Sequence, residues 1–173
     1  MNVSVHLLRA VQIGGLCLLA SAANAAELKL WTGGPAPVLA LRDLDGGLHR
    51  LPDYRGKVVL INFWATWCGP CRDEMPSIQR LKEKLAGKPF AVLAVNLDEP
   101  ESRIRNFLSQ MKVDFTILLD PERKVAKAWD ARILPASYIV GADGRVRYSL
   151  VGEINWDNEH IVGRIAELLP SRP

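Results

Sequence analysis

Apolar positions recur along this chain in two rhythms. Val58-Val59-Leu60-Ile61-Asn62-Phe63-Trp64 is a near-continuous run of β-branched, aliphatic and aromatic side chains, the mark of a buried strand. Phe90 to Asn96 predicts a second one. Between them Ile78, Leu81 and Leu85 fall on one face of a helix running from about Arg72 to about Ala86, with Pro76 expected to kink it. Glu101 to Met111 predicts an amphipathic helix with Ile104, Phe107, Leu108 and Met111 at core spacing. Phe115 to Leu119 reads as a short strand and Pro121 to Trp129 as a short helix.

Two hairpins frame this pattern. Val38 to Leu51 turns at Asp45-Gly46-Gly47, and Ala136–Val140 with Arg145–Val151 turns at Ala142-Asp143-Gly144. Asn158 to Leu169 closes the chain as a helix burying Ile161, Ile165 and Leu168. Residues 26–36, with Gly33, Gly34 and Pro35, read as a connector. Strands alternating with helices, then a hairpin and a helix, predict one α/β domain over 37–170 with a mixed sheet.

The first residues change the picture of where the chain works. Arg9, the mostly apolar Ala10 to Ala23 and the small residues Ala23-Asn24-Ala25 predict a cleavable export signal over 1–25 and a periplasmic product. Gln12 and Gly14-Gly15 interrupt a stretch already short for a membrane span, although an uncleaved anchor stays open. Leu16 before Cys17 does not suit lipoprotein processing. The chain holds 22 Lys and Arg against 19 Asp and Glu, with no basic run, so charge gives no argument for nucleic acid. Export implies an oxidising compartment, where disulfides persist. Beyond the signal two cysteines remain, Cys68 and Cys71.

Those two carry the candidate chemistry. In Trp67-Cys68-Gly69-Pro70-Cys71 the thiols stand one helical turn apart, where a strand hands over to a helix N-terminus. Free N–H groups and the macrodipole favour a thiolate there, the reactive form of cysteine. A purely structural bridge would close too small a loop to stabilise the fold much. Zinc would need two further ligands, and His49 and His160 are isolated in the sequence. A redox pair fits best.

From about Pro35 to Leu169 the chain resembles the exported thioredoxin-fold proteins of the TlpA/ResA/DsbE-like group. Phe63 to Cys71 matches the active-site signature, Pro76 the helix proline, Gly56-Lys57 and the first hairpin the extended N-terminus, and Ile133-Leu134-Pro135 the cis-proline loop. The resemblance implies a central mixed sheet flanked by helices with an N-terminal hairpin extension. It implies a monomeric thiol:disulfide oxidoreductase that needs no cofactor or metal. Cys68 would attack and Cys71 resolve, and Pro135 would face the pair in cis. Trp67, Gly69, Pro70, Leu134 and Pro135 would meet the substrate. Substrates would be protein disulfides, such as those of apocytochrome c or haem-delivery proteins. A membrane donor of the DsbD or CcdA type would return electrons.

Two positions depart from the pattern. Thioredoxins keep a buried acid where this chain has Asn62, and an amide cannot take a proton from Cys71. Glu74 matches a carboxylate of ResA-like members and could do so. The alternative for Asp73 and Glu74 is a solvated pair favoured by the helix dipole. Ala136 replaces the Thr that many relatives carry after the cis-proline. Two rival functions stay open: a net oxidant that inserts disulfides, and a redox-active binding, chaperone or peroxide-scavenging module.

Overall fold

The computed structural model describes residues 27–170. The expected signal over 1–25, with His6 and Cys17, lies outside the described residues. The sheet has eight strands: β1 (Lys29–Leu30), β2 (Ala40–Asp43), β3 (Leu48–Arg50), β4 (Val58–Trp64), β5 (Phe90–Leu97), β6 (Thr116–Asp120), β7 (Ala136–Val140) and β8 (Val146–Val151). Their order is β1-β8-β7-β4-β5-β6-β2-β3, with β4, β5 and β6 parallel and the other neighbours antiparallel. Among the described residues a 3-10 turn over Leu51–Tyr54 and four α-helices complete it: α1 (Gly69–Lys84), α2 (Glu101–Leu108), α3 (Lys124–Ala128) and α4 (Glu159–Ala166). This is the mixed sheet with flanking helices and N-terminal hairpin expected of a thioredoxin-like fold.

Strand β4 is the hinge of the architecture because all seven of its residues are buried. Its side chains alternate between two cores. Leu60 and Trp64 pack with Met75, Ile78 and Leu81 of α1, with Ile104 of α2 and with Ile165 of α4. Val59, Ile61 and Phe63 pack on the other side with Leu93, Val95, Trp129 and Tyr138. Burying each such aliphatic side chain contributes about 1.5–3 kcal/mol, so the two layers dominate stability. By the same alternation Asn62 shares the face of Leu60 and Trp64 and points into the layer under α1.

Several boundaries differ from expectation, each for a local reason. Residues 26–36 read as a connector, yet Lys29–Leu30 pairs with β8 at Ser149 and Tyr148 and extends the sheet edge. Helix α2 stops at Leu108 instead of Met111 because Gln110 and Met111 donate to Phe107 and Leu108, three residues back. Leu168 and Leu169 bond to Ile165 and Ala166 in the same way, which ends α4 early. Helix α3 starts only at Lys124, since Arg123 is left-handed at φ 54°. In the first hairpin Asp43 Oδ1 accepts the N–H groups of Asp45 and Gly47 at 2.9 and 2.7 Å, and Gly46 takes φ 87°. His49 is held in that hairpin by Asp43 at 2.7 Å and Tyr54 at 2.6 Å.

Candidate active site

Strand β4 ends at Trp64, and four residues later Cys68 caps α1. Cys68 has extended backbone angles, φ −84° and ψ 106°, and its Sγ accepts the Cys71 N–H at 3.3 Å. Gly69 and Pro70 fill the first helical positions, where proline's missing N–H removes no helical bond. The two cysteines are joined as a disulfide with their Cα atoms 5.3 Å apart. Cys68 retains 5% exposure and Cys71 none, so an incoming sulfur has access only to Cys68. Trp67 beside them is 63% exposed.

The loop before β7 reaches the same end of the sheet, because Ala136 pairs with Phe63 at the close of β4. The Leu134–Pro135 bond is cis, as expected. Gly152 N–H donates to the Pro135 carbonyl at 2.9 Å. That leaves the main-chain groups of Leu134 free of backbone partners among the described residues. Leu134 is half-buried against both cores, Ile133 is exposed, and Ala136 is buried.

Glu74 lies inside the molecule, while Asp73 next to it is exposed. The solvated-pair alternative thus holds for Asp73 alone. Position 74 is one helical turn beyond Cys71, on the buried face that also carries Met75 and Ile78. Its carboxylate receives Asn62 Nδ2 on Oε1 at 2.7 Å and Trp156 Nε1 on Oε2 at 3.0 Å. Asn62 Nδ2 also donates to Ser137 Oγ at 2.9 Å, which ties helix, β4 and β7 together beneath the cysteines. Burial pushes the Glu74 carboxyl up to about 7, against the pull of the Trp156 and Asn62 donors and the Ile154 backbone, with Glu153 adding a smaller push upward. A carboxyl poised there can accept and release a proton near neutrality. A hollow of about 420 Å³, walled by Asp73, Arg80, Glu153 and Asn155, opens onto Glu74 from solvent.

Two contributors escape sequence reading. Glu99, just past β5, accepts the Thr66 N–H at 2.7 Å, the Thr66 hydroxyl at 2.5 Å and Asn96 Nδ2 at 2.9 Å. It pins the turn that leads into Cys68; an acid beside a buried strand end was its only sequence signal. Trp156 is wholly buried and donates to Glu74 from 82 residues away, a contact with no local signature.

A sulfur at a helix N-terminus that keeps a small opening to solvent, a fully covered partner one turn on and a buried acid define a thiol–disulfide oxidoreductase on a thioredoxin-like fold. Residues 32–149 match the model of the AhpC/TSA family. The ResA thiol-disulfide oxidoreductase of Geobacillus thermodenitrificans is 38% identical over 120 residues, 69% of either chain. That of Bacillus cereus is 33% identical over 142 residues, 82% of this chain and 81% of its own. A Chlorobium tepidum structure provisionally described as thiol:disulfide interchange protein DsbE superposes with TM-score 0.74 at 34% identity, covering 82% of this chain and all of its own. The chain belongs to the AhpC/TSA family and, within it, to the TlpA/ResA/DsbE-like thiol–disulfide oxidoreductases.

Proposed function

We propose that the chain works after export as a reductase of protein disulfides. The observation that carries this reading is a fully covered Cys71 with a buried, near-neutral carboxyl one turn away. In the dithiol form, Cys68 thiolate attacks one sulfur of a substrate disulfide and the other substrate sulfur leaves as thiolate. Cys71 then passes its proton to Glu74 and attacks Cys68 Sγ, and the second substrate sulfur departs and is protonated. The substrate gains two electrons and Cys68–Cys71 becomes the disulfide. The Leu134 main-chain groups and exposed Trp67 offer an extended polypeptide a place to lie, with Gly69, Pro70 and Pro135 forming the floor.

The export signal expected over 1–25 supports a periplasmic setting. Apocytochrome c or a haem-delivery protein is the substrate class this reading favours, with a membrane carrier of the DsbD or CcdA type restoring the dithiol. The Gly69-Pro70 spacer supports the reducing direction, because it resembles that of thioredoxin, near −270 mV, against about −120 mV for a dedicated oxidant. Equilibration with glutathione buffers followed by thiol alkylation measures the potential. A pair that stays reduced in strongly oxidising mixtures would overturn the reductase reading in favour of disulfide insertion.

A further inference from the structure

The loop after β8 is fastened to α1 at successive turns of the helix. Ser77 Oγ accepts the Trp156 backbone N–H at 3.0 Å and donates to the Glu74 carbonyl at 2.8 Å. Arg80 grips both carboxylate oxygens of Asp157 at 2.8 and 3.2 Å, and Lys84 donates to the Asp157 carbonyl at 2.6 Å. Positions 74, 77, 80 and 84 recur every three or four residues and so form one stripe. Held at its backbone and wholly buried at its ring, Trp156 directs its one polar atom at Glu74 Oε2.

We propose that Trp156 is a positioning residue for the thiol–disulfide reaction, its indole N–H holding Glu74 Oε2 so that the carboxylate stays ionisable beside Cys71. The inference rests on the proton role given to Glu74 above. An indole nitrogen donates and cannot accept, so it favours an oxygen that bears no proton. A hydroxyl in its place could satisfy either form of the acid and would favour neither. Asn62 serves Oε1, and Trp156 alone among the described side chains serves Oε2. The other charged or titratable groups around Glu74 are Cys71, Asp73 and Arg80 on α1, with Cys68 at the helix cap, and Glu153 on the loop, whereas β4 and β7 present only Asn62 and Ser137.

The test follows the pH dependence of Cys71-dependent resolution by stopped flow in the full chain. Trp156→Phe should move the midpoint alkaline by about one unit, the size expected on losing one donor to a charged group. Benzothienylalanine installed at position 156 keeps the ring shape without the N–H and should do the same. Glu74→Gln should abolish the dependence. If Glu74→Gln abolishes it while both Trp156 replacements leave the midpoint in place, the positioning role fails and the Glu74 reading stands. If Glu74→Gln changes nothing, both fall. Should the Trp156 variants not fold, the unmodified protein decides by NMR. Its Trp156 indole proton resonance should titrate with Glu74 between pH 5 and 9 and become pH-independent in Glu74→Gln. An indole resonance that does not move overturns the proposal.

Discussion

Asn62 and Glu74 meet across the contact between β4 and α1, amide Nδ2 to carboxylate Oε1 at 2.7 Å. The strand thus presents a neutral donor to a carboxyl carried by the helix. Asn62→Asp would set two carboxylates where this bond now runs, and two such groups cannot both ionise cheaply. The variant should match the parent near pH 5 and lose about 3–5 kcal/mol by pH 9, the scale for an uncompensated buried charge. Urea unfolding at the two pH values measures this; equal losses at both would show that the two side chains do not share one site.

Glu74 also makes folding stability depend on pH. Its folded-state pKa is raised from 4.5 to about 7, so the folded chain binds this proton more tightly than the unfolded chain does. That contribution is fully present below about pH 4.5 and is lost as pH rises through about 7. The span corresponds to roughly 3 kcal/mol by linkage. Glu74→Gln should therefore gain stability relative to the parent as pH rises across that window. A stability difference that stays flat from pH 4 to 8 would place the titration elsewhere.

The division of labour between the sulfurs gives a covalent test. Cys71→Ser should accumulate mixed disulfides through Cys68, the one sulfur of the pair that reaches solvent, since attack survives while resolution is lost. Cys68→Ser should show few, because Cys71 is wholly covered. Non-reducing gels of whole-cell extracts, with and without dithiothreitol, give the comparison. Equal trapping by the two variants would reverse the roles.

Glu99 should matter to the mobility of the turn ahead of Cys68. Glu99→Ala strips the acceptor from three donors, the Thr66 N–H, the Thr66 hydroxyl and Asn96 Nδ2; the hydroxyl can turn to water, so the two N–H donors should account for a loss of about 2–4 kcal/mol. Hydrogen exchange at Thr66 to Cys68 should quicken well beyond the change in the β-sheet. Uniform acceleration throughout the domain would mean Glu99 is only a general stabiliser.

Much of this could be read from the chain because it was local. The Cys68–Cys71 spacing, the buried β4 run and the apolar face of α1 each announce themselves within a few residues. Helix ends at Leu108 and Ala166 were harder, since apolar periodicity continues through turns whose hydrogen bonds have already tightened. Strand Lys29–Leu30 was hidden because a two-residue edge is defined by its neighbour's free backbone, not by its own side chains. At the site, Glu74 was visible by its position in the motif, yet its burial depends on Trp156 and Asn62, brought in from distant elements. Glu99 and Trp156 act on residues 33 and 82 positions away, and nothing in their own surroundings reports it.

The two cores flanking β4 give the molecule a partition. Both cysteines, Glu74's helix and Trp156 belong to one side, while Phe63, Trp129 and Tyr138 fill the other. A single β-sheet separates the two, and Leu134 bridges them at the end where the sulfurs lie. Substitutions deep in the rear layer, away from Leu134 and Ala136, should therefore act on stability before they reach the sulfurs.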